Sequence, residues 1–364
     1  MERLVSVTGE LDALVDAGRL TGYVCGVRQD GRSRIAAGGT RSLGGPALDP
    51  DAVFPLSSNT KPVGGVLALR LVELGVLALD DPVATYLPEL SAPRVLARPG
   101  GPIDRTVPAS RPITLRHLLT MTAGFGWAGE GSPLSEAMSE RQVAPGPYAP
   151  PMAPDEFLRL LGALPLADQP GRGWLYHTGS DVLGVLLARA TGATVSELVA
   201  EHVTGPLGLA DCGFTVDPDR LPTSYGLGPD GDLRALDTRS RFDHPQRFES
   251  LACGLASTVA DYLAFLDVLV DGGTVLGARY VEEMATDHLT ARQRAAAEGF
   301  VGPGCGYGIQ VEIRPDGAVG WAGGLGTIGY VDRRTGRCAA VFTTQSYDVP
   351  GTADALDSVW ALLP

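Results

Sequence analysis

The chain has 364 residues, with 42 Asp and Glu against 29 Lys and Arg, so its formal net charge is −13 at pH 7. Proteins that bind nucleic acid or anionic membranes through their overall field need clustered positive charge, so we expect neither partner. Hydrophobic residues (44%) and charged residues (20%) have ordinary globular proportions, and no run of about 18 apolar residues predicts a membrane span.

The first predicted element is a helix over residues 2–18, where apolar side chains recur at helical spacing before Gly18. Its acidic residues stand where a signal peptide needs an apolar segment, so we expect a cytoplasmic protein. A strand pair follows at 21–27 and 33–37, joined by an Asp-Gly turn. The next helix, over residues 58–74, is apolar almost all round, which predicts a central and buried element.

The middle of the chain is predicted to be helical and the C-terminal part to form strands. Helical spacing of apolar residues covers 114–121, 155–162, 180–191, 195–203 and 258–270. Apolar or alternating runs predict strands at 307–313, 319–321, 327–331 and 338–344, before a last helix at 352–363. Six prolines make residues 128–154 irregular, and so long a loop is typical of a lid or the rim of a binding site.

Strands near both ends of the chain, with helices between them, predict an α+β fold in which one antiparallel sheet is flanked by N- and C-terminal helices. An all-helical domain is then inserted in the middle of the chain. We expect residues 1–55 and 255–364 to form the sheet domain and residues 56–254 to form the helical domain. The active site is expected between the two.

Lys61 is the single lysine of a chain that has 28 arginines, and it lies three residues after Ser58. At the predicted start of the buried helix, this spacing places both side chains on one face of the first turn. A lysine beside a serine hydroxyl can act as its general base, so Lys61 could take the proton of Ser58. In the alternative interpretation, Ser57 or Ser58 is only a helix N-cap and the lone lysine is chance.

Two later segments carry further candidates. Tyr176 and Thr178 precede a predicted helix, although a Tyr-x-Thr pattern alone says little, because most such tyrosines pack with a hydrogen-bonded hydroxyl. Trp321 and Gly323 lie on a predicted strand that runs into a formal Gly-x-Gly-x-x-Gly at residues 324–329. A strand rather than a helix follows these glycines, so a dinucleotide site is excluded. The five histidines are not spaced as metal ligands, so we expect no metal and no cofactor.

In the order Ser58-x-x-Lys61, Tyr176-x-Thr178 and Trp321-x-Gly323, the chain resembles the serine β-lactamase and penicillin-binding-protein superfamily. Within it, the sequence looks like the class C β-lactamase branch and its esterase relatives, the family VIII carboxylesterases. The resemblance covers about residues 20–345. Further segments also have sequences similar to those of the family, at Phe54 to Val63, Ile113 to Gly124, Pro206 to Asp211 and Gly254 to Leu263.

The resemblance implies a β-lactamase/transpeptidase-like fold and a two-step acyl transfer. Ser58 would attack a carbonyl carbon and form an acyl-enzyme. Lys61 and Tyr176 would share the proton transfers, and which of them is the base in acylation stays open. Backbone N–H groups of Ser58 and Gly324 would hold the oxyanion. The residues expected to bind substrate are Trp321, Gly323, Thr178 and Phe125.

β-Lactamases of this class usually carry Tyr-x-Asn and Lys-Thr-Gly, whereas this chain has Thr178 and Trp321 at two of those positions. Without the cation that would pair with a β-lactam carboxylate, ester cleavage is favoured. We therefore expect a serine carboxylesterase that acts on a small-molecule ester or acyl substrate. Three alternatives stay open: an acyltransferase that uses an alcohol or amine, a β-lactamase or D-amino-acid peptidase, and a binding protein without turnover. The oligomeric state is open as well.

Overall fold

The protein is described by a computed structural model that covers residues 2–363. Its strands are β1 (Gly22–Gln29), β2 (Arg32–Gly39), β3 (Phe54–Pro55), β4 (Arg94–Leu96), β5 (Thr106–Pro108), β6 (Tyr225–Leu227), β7 (Leu233–Ala235), β8 (Ala256–Ser257), β9 (Gly306–Tyr307), β10 (Glu312–Ile313), β11 (Ala318–Gly323), β12 (Thr327–Asp332) and β13 (Arg337–Thr343). The main antiparallel sheet has the order β2-β1-β13-β12-β11-β10-β9. The first strands of the chain therefore pair with the last.

The helices are α1 (Glu2–Asp16), α2 (Thr60–Glu73), α3 (Leu115–Leu119), α4 (Pro133–Glu140), α5 (Pro154–Gly162), α6 (Thr178–Thr191), α7 (Val195–Val199), α8 (Gly205–Leu207), α9 (Val259–Leu266), α10 (Val268–Asp271), α11 (Ala278–Met284), α12 (Ala291–Ala297), α13 (Thr352–Asp357) and α14 (Val359–Leu362). Together with the antiparallel sheet, they confirm the α+β fold with terminal helices that the sequence predicts.

The sheet buries both of its faces, and alternation along the strands explains how. Tyr23 and Cys25 of β1 pack with α1, α13 and α14, whereas Val24 packs with α9 on the other side. Successive side chains of a strand point to opposite faces, so β1 supplies two cores at once. The β1–β2 hairpin turns at Asp30 and Gly31, which both have positive φ, as two-residue hairpin turns of this type require.

The prediction that α2 is central is confirmed. Every residue from Thr60 to Leu69 is buried, and the helix packs against α6 and α7. A helix that is apolar all round can be stable only inside a core, because each of its faces must find an apolar partner. The chain enters this region at β3 and returns from it at β8, and these two strands pair with each other. The division into domains at residues 55 and 254 stays a prediction.

One predicted strand is wrong. Residues 307–313 form two short strands, β9 and β10, that fold back and pair with each other. Between them, Gln310 has a φ of +62°, and its amide donates to the carbonyls of Leu118 and Leu119. A side chain at Gly308 would meet the carbonyl of Met284 at 2.0 Å, so only glycine fits. These contacts with distant segments override the local apolar pattern.

The segment over residues 128–154 is less irregular than predicted, because it contains α4. Pro133 occupies the start of that helix, where its missing N–H costs nothing, and Ser132 caps the helix by accepting from the N–H of Ser135. The short helices α11 and α12 were also not predicted. Among residues 2–363, no single helix is long and apolar enough to cross a membrane, although one bent pair, Thr178–Thr191 with Val195–Leu207, meets the criteria of length and composition.

Candidate active site

Ser58 lies in a 3₁₀ turn, Ser57–Asn59, that leads directly into α2. Ser57 has a φ of +48°, in the left-handed region that side chains rarely adopt, so the backbone is strained immediately before Ser58. Thr327, at the start of β12, anchors this turn by donating from Oγ1 to the carbonyl of Leu56 at 2.9 Å. The position of Ser58 is therefore fixed against strands β11 and β12 of the main sheet.

The interpretation of Ser57 or Ser58 as a helix cap is wrong. The residue at the N-cap of α2 is Asn59, and no side chain makes the capping hydrogen bond. The hydroxyl of Ser58 instead accepts a hydrogen bond from Lys61 Nζ at 2.9 Å. Ser58 is 9% exposed, whereas Lys61 is fully buried. Ser58 thus keeps a small exposed fraction, whereas Lys61 has none.

Lys61 is surrounded by acceptors that carry no formal charge. Besides Ser58, its Nζ donates to the backbone carbonyl of Ala252 at 2.8 Å. The ammonium also lies 4.5 Å from the centroid of the Tyr176 ring, within the range of a cation–π contact. No carboxylate of the described residues forms an ion pair with it. These three contacts hold the Lys61 amine in one position, next to the Ser58 hydroxyl.

Tyr176 and Trp321 form an aromatic pair next to Lys61. The indole Nε1 of Trp321, on β11, donates to the Tyr176 hydroxyl oxygen at 2.8 Å. Both residues are buried, at 8% and 4% exposure. Since the oxygen already accepts from the indole, its own proton is available to a third group. Three more aromatic side chains surround this pair, namely Trp174, Phe300 and Tyr307. Trp321 therefore orients Tyr176, a contact that the sequence did not reveal.

Gly323 and Gly324 bring the end of β11 against the Ser58 turn. A Cβ on Gly323 would meet the carbonyl oxygen of Leu56 at 2.2 Å, so no other residue fits there without movement of the backbone. A Cβ on Gly324 would lie 3.9 Å from the hydroxyl of Ser57. Gly324 thus lies beside the Ser57–Asn59 turn that carries Ser58.

The remaining predicted site residues lie deeper. Thr178, at the first position of α6, is buried, and its hydroxyl has no hydrogen-bond partner among the described residues. Phe125 is buried in the main hydrophobic core rather than in the aromatic cluster around Tyr176. The roles of both in substrate binding stay predictions. His177 has a φ of +86°, and burial lowers its pKa well below the usual range, so its imidazole is neutral.

Two residues that sequence reasoning missed support Lys61 from behind. The hydroxyl of Ser250 donates to Asp181 at 2.6 Å and accepts from the N–H groups of Ala252 and Cys253, each at 3.1 Å. Ser250 therefore holds the turn whose Ala252 carbonyl binds Lys61. Burial raises the pKa of Asp181 to about 6, against the opposing effects of the Ser250 bond and the Lys61 charge. The sequence offers no local signal for this network.

A family model described as beta-lactamase matches residues 7–362. The chain belongs to the beta-lactamase family. Esterase EstB of Burkholderia gladioli is 30% identical over 98% of this chain and 96% of its own. Acyltransferase calJ of Penicillium decumbens is 28% identical, covering 86% of this chain and 80% of that protein.

A solved structure of EstCE1, described as a hydrolase with promiscuous acyltransferase activity, has the same fold as this beta-lactamase family member. Its TM-score is 0.84 at 24% identity, and the match covers 100% of this chain and 99% of that one. The superfamily resemblance, its esterase branch and the β-lactamase/transpeptidase-like fold class are therefore confirmed. Family membership and the esterase relatives make the chain a serine hydrolase of the esterase type.

Proposed function

We propose that this protein is a serine esterase in which Ser58 carries the acyl group. The observation that carries the proposal is the 2.9 Å hydrogen bond from the buried Lys61 amine to the Ser58 hydroxyl. A serine hydroxyl is a weak nucleophile until a neighbouring base takes its proton, and this lysine has that hydroxyl and one carbonyl as its hydrogen-bond acceptors. The esterase relative and the acyltransferase relative support ester hydrolysis or acyl transfer on this fold.

In the first step, the Ser58 oxygen bonds to the ester carbonyl carbon and its proton passes to the Lys61–Tyr176 pair. The carbonyl oxygen becomes an oxyanion, which the N–H groups of Ser58 and Gly324 stabilise. The bond to the alcohol oxygen then breaks, and the alcohol leaves with the proton. The second step repeats these events with water, which releases the acid and restores Ser58. An alcohol or amine in place of water would give acyl transfer.

Labelling with a fluorophosphonate tests the nucleophile. We expect one adduct per chain, mapped by mass spectrometry to Ser58, and loss of ester hydrolysis in proportion to labelling. Ser58→Ala should neither be labelled nor turn over p-nitrophenyl butyrate. Ser57→Ala is the matched control, because it removes the adjacent hydroxyl and should keep labelling. Retention of more than about one hundredth of the activity in Ser58→Ala would exclude Ser58 as the nucleophile.

The substrate preference separates the esterase from a β-lactamase. Trp321 occupies the position of the cation that pairs with a β-lactam carboxylate, so kcat/KM for p-nitrophenyl butyrate should far exceed that for nitrocefin. Addition of a small alcohol then separates hydrolysis from acyl transfer, since a transferase would yield the new ester at the expense of the free acid. Equal turnover of nitrocefin would reassign the protein to the β-lactamases.

A further inference from the structure

A cavity of about 240 Å³ is lined by Pro55, Cys253 and Leu325, which are chain neighbours of residues in the proposed site. Two surface segments, 147–151 and 238–248, form its outer walls. Its inner wall is continuous with the site: Cys253 follows the residue that binds Lys61, and Leu325 follows Gly324. A substrate with its ester carbonyl at Ser58 can therefore extend a second group into this cavity.

The charged residues that line this cavity are all basic. They are Arg241, Arg247 and His244, and among the described residues no Asp or Glu lines it. Arg247 is mostly exposed and has Glu156 at 4.0 Å, and His244 contacts Asp243. Arg241 makes no ion pair with any described carboxylate. Hydrogen bonds from Ser240 and, to a smaller extent, the charge of Arg241 lower the pKa of Asp237, so Arg241 has a carboxylate nearby but, among the described residues, none in direct contact.

Arg241 is nevertheless held in place. Its guanidinium carbon lies 3.8 Å from the centroid of the Tyr148 ring, on the opposite wall. Its Nε donates to the backbone carbonyl of Asp237 at 3.1 Å, which leaves both terminal amino groups for a ligand. A planar guanidinium that is already oriented loses little freedom when it binds a carboxylate through two parallel hydrogen bonds.

The electrostatic field of Arg241 reaches the catalytic side. Burial raises the pKa of the Cys253 thiol to about 12, and the positive charges of Lys61 and Arg241 both oppose this rise. The Cys253 thiol is therefore subject to the charges of both Lys61 and Arg241. An anionic substrate is repelled at long range by a chain of net charge −13, so a fixed local cation is needed to hold it.

We infer that Arg241 binds a carboxylate of the substrate, so that the substrate class of this enzyme is esters that carry an ionised carboxyl group. This inference rests on the proposed esterase function. The carboxyl group can belong to the acyl part or to the alcohol part of the ester. These two sources share the same chemistry at Arg241 and are distinguished by the test.

The test uses two pairs of matched esters. In the acyl pair, p-nitrophenyl hydrogen adipate is compared with p-nitrophenyl hexanoate. In the alcohol pair, 3-acetoxybenzoate is compared with methyl 3-acetoxybenzoate. For one pair, the carboxylate member should have the higher kcat/KM, through a lower KM, and 0.5 M NaCl should reduce that preference by screening. The pair that shows the preference identifies which part of the ester carries the carboxylate.

Variants assign the preference to Arg241. Arg241→Gln should lower the ratio of kcat/KM between the two members of that pair by on the order of tenfold, as expected for loss of a charge-assisted hydrogen bond at an exposed site. Arg239→Gln is the matched control, because Arg239 pairs with Asp219 outside the cavity and should leave the ratio unchanged. Thermal melting of each variant shows that it is folded.

Three outcomes would overturn the inference. These are equal kcat/KM within both pairs, a change in Arg247→Gln instead of Arg241→Gln, and an equal loss for both members in Arg241→Gln. The last result would make Arg241 a structural link to Tyr148. Failure of the esterase proposal is distinguishable, because it would abolish the dependence of neutral ester hydrolysis on Ser58.

Discussion

Lys61, in the proposed active site, and Arg241, in the neighbouring cavity, are two cations whose surroundings differ. Lys61 is fully buried and is held by a hydroxyl, a carbonyl and an aromatic ring. Arg241 is exposed, stacks on one ring and is anchored by a single backbone carbonyl. Proton transfer needs atoms fixed to a fraction of an ångström, whereas recognition at a surface loop tolerates adjustment. Substitutions should therefore be far more damaging on the buried side.

Lys61→Arg is expected to give the largest effect. The substitution keeps the positive charge, but a guanidinium cannot act as a base, so ester turnover should fall by about 10³-fold, as in Lys61→Ala. The measurement is kcat for p-nitrophenyl butyrate. Because an arginine could overpack the buried site, Lys61→Met provides a neutral side chain of similar length whose folding is checked by thermal melting. An active Lys61→Arg enzyme would show that the proton leaves Ser58 by another route.

Tyr176→Phe ranks next. Removing a group that shares the proton transfer should lower kcat by about 10²-fold, the lower end of the range for general acid–base catalysis. Trp321→Phe is the comparison variant, since it keeps an aromatic ring but removes the indole N–H that binds the Tyr176 hydroxyl at 2.8 Å, together with part of the ring volume. That loss should cost less than the loss of the hydroxyl itself. If both variants lose the same activity, the aromatic pair acts by packing and Tyr176 has no role in proton transfer.

These residues were accessible from the sequence because each belongs to a local pattern. Ser58 and Lys61 stand one helical turn apart, and the single lysine drew attention to them. The buried helix and five strands of the main sheet, β1, β2, β11, β12 and β13, were predicted as well, since their apolar spacing is strong. The fold-back at residues 307–313 was missed, because it depends on contacts of Gln310 with a segment about 190 positions away.

The support of the site could not be predicted, for the same physical reason. Ser250 and Asp181 are 69 positions apart, and their bond exists only after the chain has folded. Arg241 is one of 28 arginines, and nothing in the sequence distinguishes it from those that pair at the surface. Local spacing reveals catalytic motifs, whereas the partners that orient them and the cavity beside them are set by tertiary contacts.

The buried carboxyl of Asp181 should lower the free energy of unfolding of the protein as pH rises. Burial raises its pKa to about 6, whereas an unfolded carboxyl has a pKa near 3.9. Between these values the native state retains a proton that the unfolded state has lost, so the free energy of unfolding falls as pH rises. Asp181→Asn cannot ionise. The free energy of unfolding of the Asp181→Asn variant minus that of the unsubstituted protein should therefore increase by about 2 kcal/mol from pH 4.5 to 7.5.

Urea titrations at several pH values measure this difference. Asp332→Asn is the control of opposite sign, because the bond to Arg334 lowers the pKa of Asp332. The Asp332 carboxyl is ionised in both the folded and the unfolded state above pH 4.5. The difference in free energy of unfolding between Asp332→Asn and the unsubstituted protein should therefore stay nearly constant from pH 4.5 to 7.5. Parallel curves for Asp181→Asn and the native protein would mean that Asp181 ionises normally and imposes no such cost.

Ser250→Ala is expected to give the smallest effect on the buried side, and it tests whether the support behind Lys61 matters for turnover. The change removes the acceptor of two backbone N–H groups and the donor to Asp181. The Ala252 carbonyl should then hold Lys61 less firmly. Because small displacements of a base slow proton transfer, kcat should fall by about tenfold. KM for p-nitrophenyl butyrate should change little.

Titration with a fluorophosphonate normalises kcat to the fraction of reactive Ser58, which removes any contribution from unfolded chains. Ser257→Ala deletes another fully buried hydroxyl, whose hydrogen bond goes to the carbonyl of Thr258, and should leave the normalised kcat unchanged. Equal losses in both serine variants would reduce Ser250 to ordinary core packing, and Lys61 would then be positioned by α2 alone.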